Sequence, residues 1–212
     1  MLVEQMLVGP MAVFSYIVGC ENEREGLIID PAGSESKIVS KAADMGLRIK
    51  YVVNTHGHAD HTCGNRAVLS KTGAALVIHE EDASEILRGL NKAFSMVMGK
   101  RPSPEAHRLV TDGDFIKIGQ TGLKVIHTPG HSAGSMCLYG DGNLFTGDTL
   151  FVGAAGRTDL RGGSLEVLLD SLKKLLSLPP ETRVWPGHHY GDAPVSTLAR
   201  EKETNPYITD FL

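Results

Sequence analysis

The sequence predicts an α/β protein in which two mixed β-sheets carry helices on their outer faces. Two observations carry this reading. Short apolar, β-branched runs alternate with helical patterns in the order strands, helix, strand, helix, and that order then repeats. The runs that carry chemistry also end in loops rich in glycine, proline or histidine, the place where an α/β fold builds reactive sites on a rigid frame.

Taken in order, residues 11–19 and 26–30 read as strands joined by a polar turn at 21–25. Residues 34–45 read as a helix with Ser34 as N-cap. Ile38, Val39, Ala42 and Ala43 follow the helical period, and Gly46 stops it. A strand over 49–54 delivers the run Thr55-His56-Gly57-His58-Ala59-Asp60-His61, and Thr62-Cys63-Gly64-Asn65 turns the chain into a helix. A short strand at 74–78 and a helix at 83–90 follow. The 92–105 stretch, with Met96, Met98, Pro102 and Pro104, reads as an irregular lid or surface excursion. Strands return at 115–118, 123–127, 135–139 and 143–146, the last two joined by an Asp141-Gly142 hairpin signal. Residues 164–178 give the clearest helix. Leu165, Leu168, Leu169, Leu172, Leu175 and Leu176 form one apolar stripe that Pro179-Pro180 ends, and such a stripe is core. A strand at 183–185 and a helix at 195–202 complete the chain. No linker, low-complexity tract or repeat interrupts residues 1–212, so one domain is expected.

Composition narrows the function classes. The net charge is -4 and no basic run exists to neutralise phosphates, which argues against nucleic acid as a partner. Cys20, Cys63 and Cys137 are odd in number and widely spaced. They make neither a disulfide framework nor a Cys-x-x-Cys knuckle, which fits a reducing compartment. The apolar stretch 11–20 lacks a preceding basic region and is too short to span a bilayer. A cytoplasmic protein without membrane partners is therefore expected.

The run at 55–61 puts three histidines and an aspartate within one loop, a spacing that packing alone does not explain. Three further donors follow strands in the same way: His131 in Thr-Pro-Gly-His-Ser, Asp148 in Thr-Gly-Asp-Thr and His188 in Trp-Pro-Gly-His. If these strand ends share one rim, His56, His58, Asp60, His61, His131, Asp148 and His188 converge. That many donors suits two divalent metals bridged by a carboxylate and a hydroxide. A purely imidazole and carboxylate set suits zinc, iron or manganese and excludes a thiolate site.

The pattern His56-x-His58-x-Asp60-His61 with His131, Asp148 and His188 resembles the metallo-β-lactamase superfamily, over nearly the whole chain. The resemblance implies a four-layer αββα sandwich with a binuclear site, most often zinc, at one edge. It implies that His56, His58 and His131 bind the first metal, that Asp60, His61 and His188 bind the second, and that Asp148 bridges. Gly156-Arg157-Thr158-Asp159-Leu160 and the stretch from Ser196 to Pro206 resemble the glyoxalase II-related group more closely, which small hydrolases share with persulfide dioxygenases. Full-length glyoxalase II carries a further helical domain that holds part of glutathione, and these 212 residues do not include it.

The expected activity is hydrolysis of a small thioester by a metal-bridging hydroxide that Asp60 orients. Arg157 would clamp a substrate carboxylate and Tyr190 would donate a hydrogen bond to substrate. The blander readings are an Arg157–Asp159 surface ion pair and a buried Tyr190. The rival activity is a mononuclear iron persulfide dioxygenase using His56, His131 and Asp148. Gly187 and Ala155 depart from the alanine and cysteine associated with that pattern. A lactonase is a further hydrolytic variant. Asp30 either orients a ligand histidine or caps the turn at Pro31. His79, His107, His127 and His189 are expected outside the ligand set, and Cys63 is expected as a small buried residue.

Overall fold

The computed structural model describes residues 1–87, 89–97 and 99–212. The chain runs β1 (Leu2–Val8), β2 (Val13–Gly19), β3 (Glu25–Ile29), α1 (Glu35–Asp44), β4 (Arg48–Val53), α2 (Ala59–Thr62), α3 (Asn65–Thr72) and β5 (Ala75–His79). Two 3-10 turns, Glu80–Asp82 and Glu85–Leu87, lead to α4 (Gly89–Val97). Then come β6 (Arg108–Val110), β7 (Phe115–Ile118), β8 (Thr121–His127), β9 (Met136–Gly140), β10 (Asn143–Gly147), β11 (Leu150–Phe151) and β12 (Ala154–Ala155). The chain closes with α5 (Leu165–Leu175), β13 (Arg183–Pro186), β14 (Ser196–Thr197), α6 (Leu198–Thr204) and α7 (Pro206–Thr209).

Two six-stranded sheets form, ordered β1-β2-β3-β4-β5-β6 and β14-β13-β10-β9-β8-β7. Both are mixed. In the first, β3 to β6 pair in parallel while β1, β2 and β3 pair antiparallel. In the second, only β10 and β13 are parallel. Strand alternation sorts the apolar residues into three cores. Ile17, Ile28, Val52, Leu76 and Ile78 face Ile38 of α1 and Val68 of α3. Tyr16, Val18, Leu27, Ile29 and Val53 meet Ile116, Val125, Leu138 and Phe145 between the sheets. Ile126, Leu144 and Val184 pack under Leu168, Leu172 and Leu175 of α5. These three cores separate four layers, helix, sheet, sheet and helix, so the αββα sandwich is the observed architecture. No helix among the described residues is long and apolar enough to cross a membrane.

The hairpin at 141–142 forms as its sequence demands. Asp141 and Gly142 have φ of 48° and 69°, the left-handed pair of a type I′ turn. Other boundaries differ from expectation. Strand β1 had no sequence signal, because it is a half-exposed edge strand that pairs from Leu2↔Gly19 to Val8↔Val13. Ser34 precedes α1 but lies in the left-handed region and makes no side-chain cap. The expected helix at 83–90 gives way to a 3-10 turn, and α4 instead occupies Gly89–Val97, inside the stretch read as irregular. Arg88 of the one reading and Met98 of the other lie outside the described residues. The expected helix at 195–202 begins instead with β14.

Candidate metal centre

Four parallel-running strand ends, from both sheets, deliver the donors to one edge of the sandwich. β4 leads into the loop holding His56 and His58, and α2 then carries Asp60 and His61. β8 leads to His131, β10 to Asp148 and β13 to His188. His58 is the extended residue just before α2, so its ring and the α2 side chains project from one short turn.

All seven residues come together, six of them in two groups of three with Asp148 between. His56, His58 and His131 place ligand-type atoms within 4.8 Å of one another, and so do Asp60, His61 and His188. His58 Nδ1 lies 2.9 Å from His131 Nε2, and His61 Nε2 lies 3.1 Å from His188 Nε2. Asp148 stands between the groups. Its Oδ1 is 3.3 Å from His61 Nε2, and its Oδ2 is 3.6 Å from His131 Nε2 and 3.5 Å from His188 Nε2. Asp60 Oδ2 is 3.6 Å from His188 Nε2.

The opposite nitrogens of four of these rings are spoken for. His61 Nδ1 meets Asp30 Oδ2 at 3.0 Å, His131 Nδ1 meets the Arg157 carbonyl at 2.8 Å, and His188 Nδ1 meets the Met11 carbonyl at 3.1 Å. His56 Nδ1 lies 3.1 Å from Thr55 Oγ1. An acceptor at one ring nitrogen fixes the tautomer and leaves the other bare. The bare nitrogens face the cluster, and two buried atoms there, His56 Nε2 and Asp148 Oδ1, have no hydrogen-bond partner. Buried polar atoms without partners are rare, because each costs about 1–3 kcal/mol. Nitrogen and carboxylate donors aimed at shared points, two of them orphaned, fit divalent cations of the zinc, iron or manganese kind.

Electrostatics divides the cluster. Burial and neighbouring imidazoles hold His56 well below the ordinary histidine value, and burial and His131 bring His58 down to about 4. Burial opposes charge at His61 too, yet Asp148, Asp60 and Asp30 together raise it. His188 rises to about 9, because hydrogen bonds to Asp148 and Asp60 outweigh its burial. Burial pushes the Asp148 carboxyl up, but His61 and His188 hold it well below the carboxylate range.

Two carboxylates tie the loops together. Asp30, fully buried with φ of 46°, accepts from Thr55 N at 2.9 Å, Thr55 Oγ1 at 2.6 Å and His61 Nδ1. It therefore orients a histidine, the first of the two roles open to it. Asp82 accepts from Gly57 N, Gly134 N and Ser132 Oγ, each at 2.7 Å, and so joins the His56–His58 loop to the His131 loop. The sequence offered no sign of Asp82 beyond a run of three acids. Gly187 marks a close approach, since a Cβ there would stand 2.3 Å from Asp148 Oδ1.

A cleft of about 380 Å³ opens over the donors, lined by His58, Asp60, His131, Asp148 and His188 and rimmed by Met11, Phe94, Leu160, Arg157 and Tyr190. Arg157 and Tyr190 thus both reach the cleft. Arg157 Nε and Nη2 bond the Asp159 carboxylate at 2.7 Å each, so the ion pair exists as well. Tyr190 is 61% exposed and stacks flat on His188, with ring centroids 4.8 Å apart. Phe94 and Met11 had no sequence signal for this role. A larger groove of about 710 Å³ against α3 holds none of the seven donors. The other histidines lie elsewhere. His79 stacks on His127, His107 accepts from Leu76 N, and His189 packs edge-on against Phe14. Cys63 is buried, and burial raises its thiol to about 11, which removes it as a nucleophile.

The description of the metallo-β-lactamase superfamily matches residues 8–188. Hydroxyacylglutathione hydrolase of Polaromonas sp. is 37% identical over 99% of this chain and 78% of its own length. Human mitochondrial persulfide dioxygenase ETHE1 is 31% identical over 98% of this chain and 76% of its own. Among solved structures, the BLEG-1 B3 metallo-β-lactamase superposes with a TM-score of 0.88 at 31% identity, covering 98% of this chain and all of that one.

Proposed function

This chain belongs to the metallo-β-lactamase superfamily, and from that premise we propose that it is a metal-dependent hydrolase of the glyoxalase II type acting on a small thioester. The observation that carries the reading is the pair of three-donor groups with Asp148 between them, and the orphaned His56 Nε2 and Asp148 Oδ1 that a pair of cations would satisfy. His56, His58 and His131 would hold one divalent metal, zinc by preference. Asp60, His61 and His188 would hold the other, and Asp148 would bridge. Bound there, the metals would polarise the substrate carbonyl and make a water acidic enough to attack at neutral pH.

The chain's own groups do the rest. Asp60, partly open to the cleft and held ionised by His61 and His188 against its burial, accepts a hydrogen bond from the attacking water and so aims the water's lone pair at the carbonyl carbon. Asp30 and the carbonyls of Arg157 and Met11 keep the imidazoles from turning. Arg157 has Nη1 left to donate to substrate, and Tyr190 donates its hydroxyl from the same rim. In the overall step water adds to the carbonyl carbon, the carbon–sulfur bond breaks, and the thiolate leaves with the water's proton. The products are a carboxylic acid and a thiol. No serine or cysteine nucleophile is needed.

A second reading, an iron persulfide dioxygenase, draws support from the similarity to ETHE1 and from His56, His131 and Asp148 as two imidazoles and a carboxylate with open positions. Against it, the alanine of that pattern has no room at position 187 while Asp148 keeps its place. The deciding experiment measures metal content, anaerobic cleavage of lactoylglutathione and oxygen uptake on glutathione persulfide, in matched zinc and iron preparations. Anaerobic cleavage by the zinc form with two equivalents bound is expected. Oxygen uptake by an iron form, with no cleavage by either, would overturn the hydrolase.

A further inference from the structure

The mouth of the cleft differs in character from its floor. The floor is imidazole and carboxylate. The rim presents Met11 from the β1–β2 turn, Phe94 from α4, Leu160 from the loop before α5 and Tyr190 from the loop after β13. Three of these are unusually open to solvent for their type: Met11 is 47% exposed, Leu160 40% and Tyr190 61%. Four largely apolar side chains from four separate segments line one opening and present apolar surface that water wets at a cost until something covers it. Their positions are held. Asn91 donates to the carbonyls of Gly57 at 2.9 Å and Glu85 at 2.7 Å, which ties α4 to the ligand loop and fixes Phe94 one turn further on. Tyr190 rests flat on His188 and edge-on against Phe151, at 5.0 Å between centroids. Arg157 is the one rim cation among the described residues, and the Asp159 carboxylate already balances its charge with two bonds.

From this rim we infer that the thioester's acyl group is an apolar chain or ring lying across Met11, Phe94, Leu160 and Tyr190. A small hydroxyacyl group would leave most of that wall wet, whereas an alkyl or aryl acyl group would cover it and leave its carbonyl over the donors. On the thiol side, the glutathione peptide with its two carboxylates and ammonium would find a single paired guanidinium at the rim. The inference rests on the thioester reading for its chemistry, while the apolar subsite itself stands on the rim alone.

The test uses the zinc-loaded protein and two ladders built on one neutral thiol, N-acetylcysteamine: the acetyl, butanoyl and hexanoyl thioesters, and the matching thioethers, which cannot be hydrolysed. Affinity for the thioethers, read by calorimetry, and kcat/KM on the thioesters should both climb with chain length. The expected rise is about twofold to fourfold per methylene, fourfold being what about 0.8 kcal/mol for a fully buried methylene converts to. Hexanoyl thioester should also be cleaved with higher kcat/KM than lactoylglutathione. Phe94→Ser should shrink the hexanoyl-to-acetyl ratio, and Phe94→Leu should keep it, because only apolarity is at stake. Thioether affinity that does not change with length, or a higher kcat/KM on lactoylglutathione, overturns the inference. Affinity that climbs while no thioester is cleaved supports the apolar subsite and overturns the hydrolase reading instead.

Discussion

Asp30→Asn isolates the contribution of the carboxylate behind the candidate metal centre. Asparagine has the same shape and tolerates the left-handed backbone of position 30, where φ is 46°, so no new strain enters. What changes is one acceptor. The carboxylate presents Oδ1 to Thr55 N and Oδ2 to Thr55 Oγ1 and His61 Nδ1. An amide can keep only one of those oxygens. If its oxygen stays at Thr55 N, the amide NH2 faces His61 Nδ1, and His61 must then carry its proton on Nε2, the atom that points at His188 and Asp148. A protonated Nε2 cannot bind a metal. If the amide turns over, its NH2 opposes the Thr55 N–H, and a buried amide is left unsatisfied at about 1–3 kcal/mol. In the first arrangement the group formed by Asp60, His61 and His188 loses a donor; in the second the tautomer survives and the cost falls on folding. Loss of a carboxylate behind a ligating histidine lowers metal affinity by about 10–100-fold, or about 1.4–2.8 kcal/mol. Competition against a chelator of known affinity reads this directly, with the wild type alongside. One equivalent held as before and one weakened is the expected pattern. Two equivalents with unchanged affinities would refute the argument that Asp30 sets the His61 tautomer.

Four further outcomes follow from the same geometry. Asp148→Ala should lower metal occupancy at both positions and abolish turnover, whereas His188→Ala should empty mainly one; metal analysis separates them, and two tightly held metals in Asp148→Ala would contradict a bridge. Gly187→Ala puts a methyl 2.3 Å from Asp148 Oδ1 and should reduce metal content and rate together, while wild-type values for both would show that Asp148 has room to move. Arg157→Ala should raise KM more than it lowers kcat on a thioester, since a rim contact is shared by ground and transition states; an unchanged KM would leave Arg157 only its ion pair with Asp159. Asp82→Ala strands the buried amides of Gly57 and Gly134 and should cost about 2–6 kcal/mol in denaturant unfolding, and a variant as stable as the parent would mean that these loops hold without it.

The donor set was legible in the sequence because its information is local. Four donors share one loop, and His131, Asp148 and His188 each follow a β-branched run and a glycine or proline that bends the chain at a strand end. Helix α5 was legible through its leucine stripe, and the β9–β10 hairpin through Asp141-Gly142. What escaped depends on partners far away in the chain. Strand β1 is an edge with few buried positions, so it lacks the alternation that marks a half-buried strand. In α4 the proline pair at 102 and 104 suggested irregular chain, yet the helix ends at Val97 before either acts. Asp82 bonds residues about fifty positions downstream, and no spacing rule anticipates that.

These anchors, of which Asp30 was a sequence candidate while Asp82 and the carbonyls of Met11 and Arg157 were not, are what make the legible residues a site. Seven donors on flexible loops would each lose freedom on meeting a cation. Here four rings are already turned by Asp30, Thr55 and the carbonyls of Met11 and Arg157, and Asp82 locks two loops to one another. Much of the ordering cost therefore falls on folding and not on binding, which is the physical content of preorganisation. Relatives at 37% and 31% identity are described as a hydrolase and as a dioxygenase, so the fold does not choose between chemistries. The choice must lie in residues that decide which metal is held, how many, and what reaches it. In the proposed hydrolase those would be Gly187, where a Cβ would stand 2.3 Å from Asp148 Oδ1, and the rim of Met11, Phe94, Leu160 and Tyr190, whose apolar surface would favour one kind of molecule over another at the mouth.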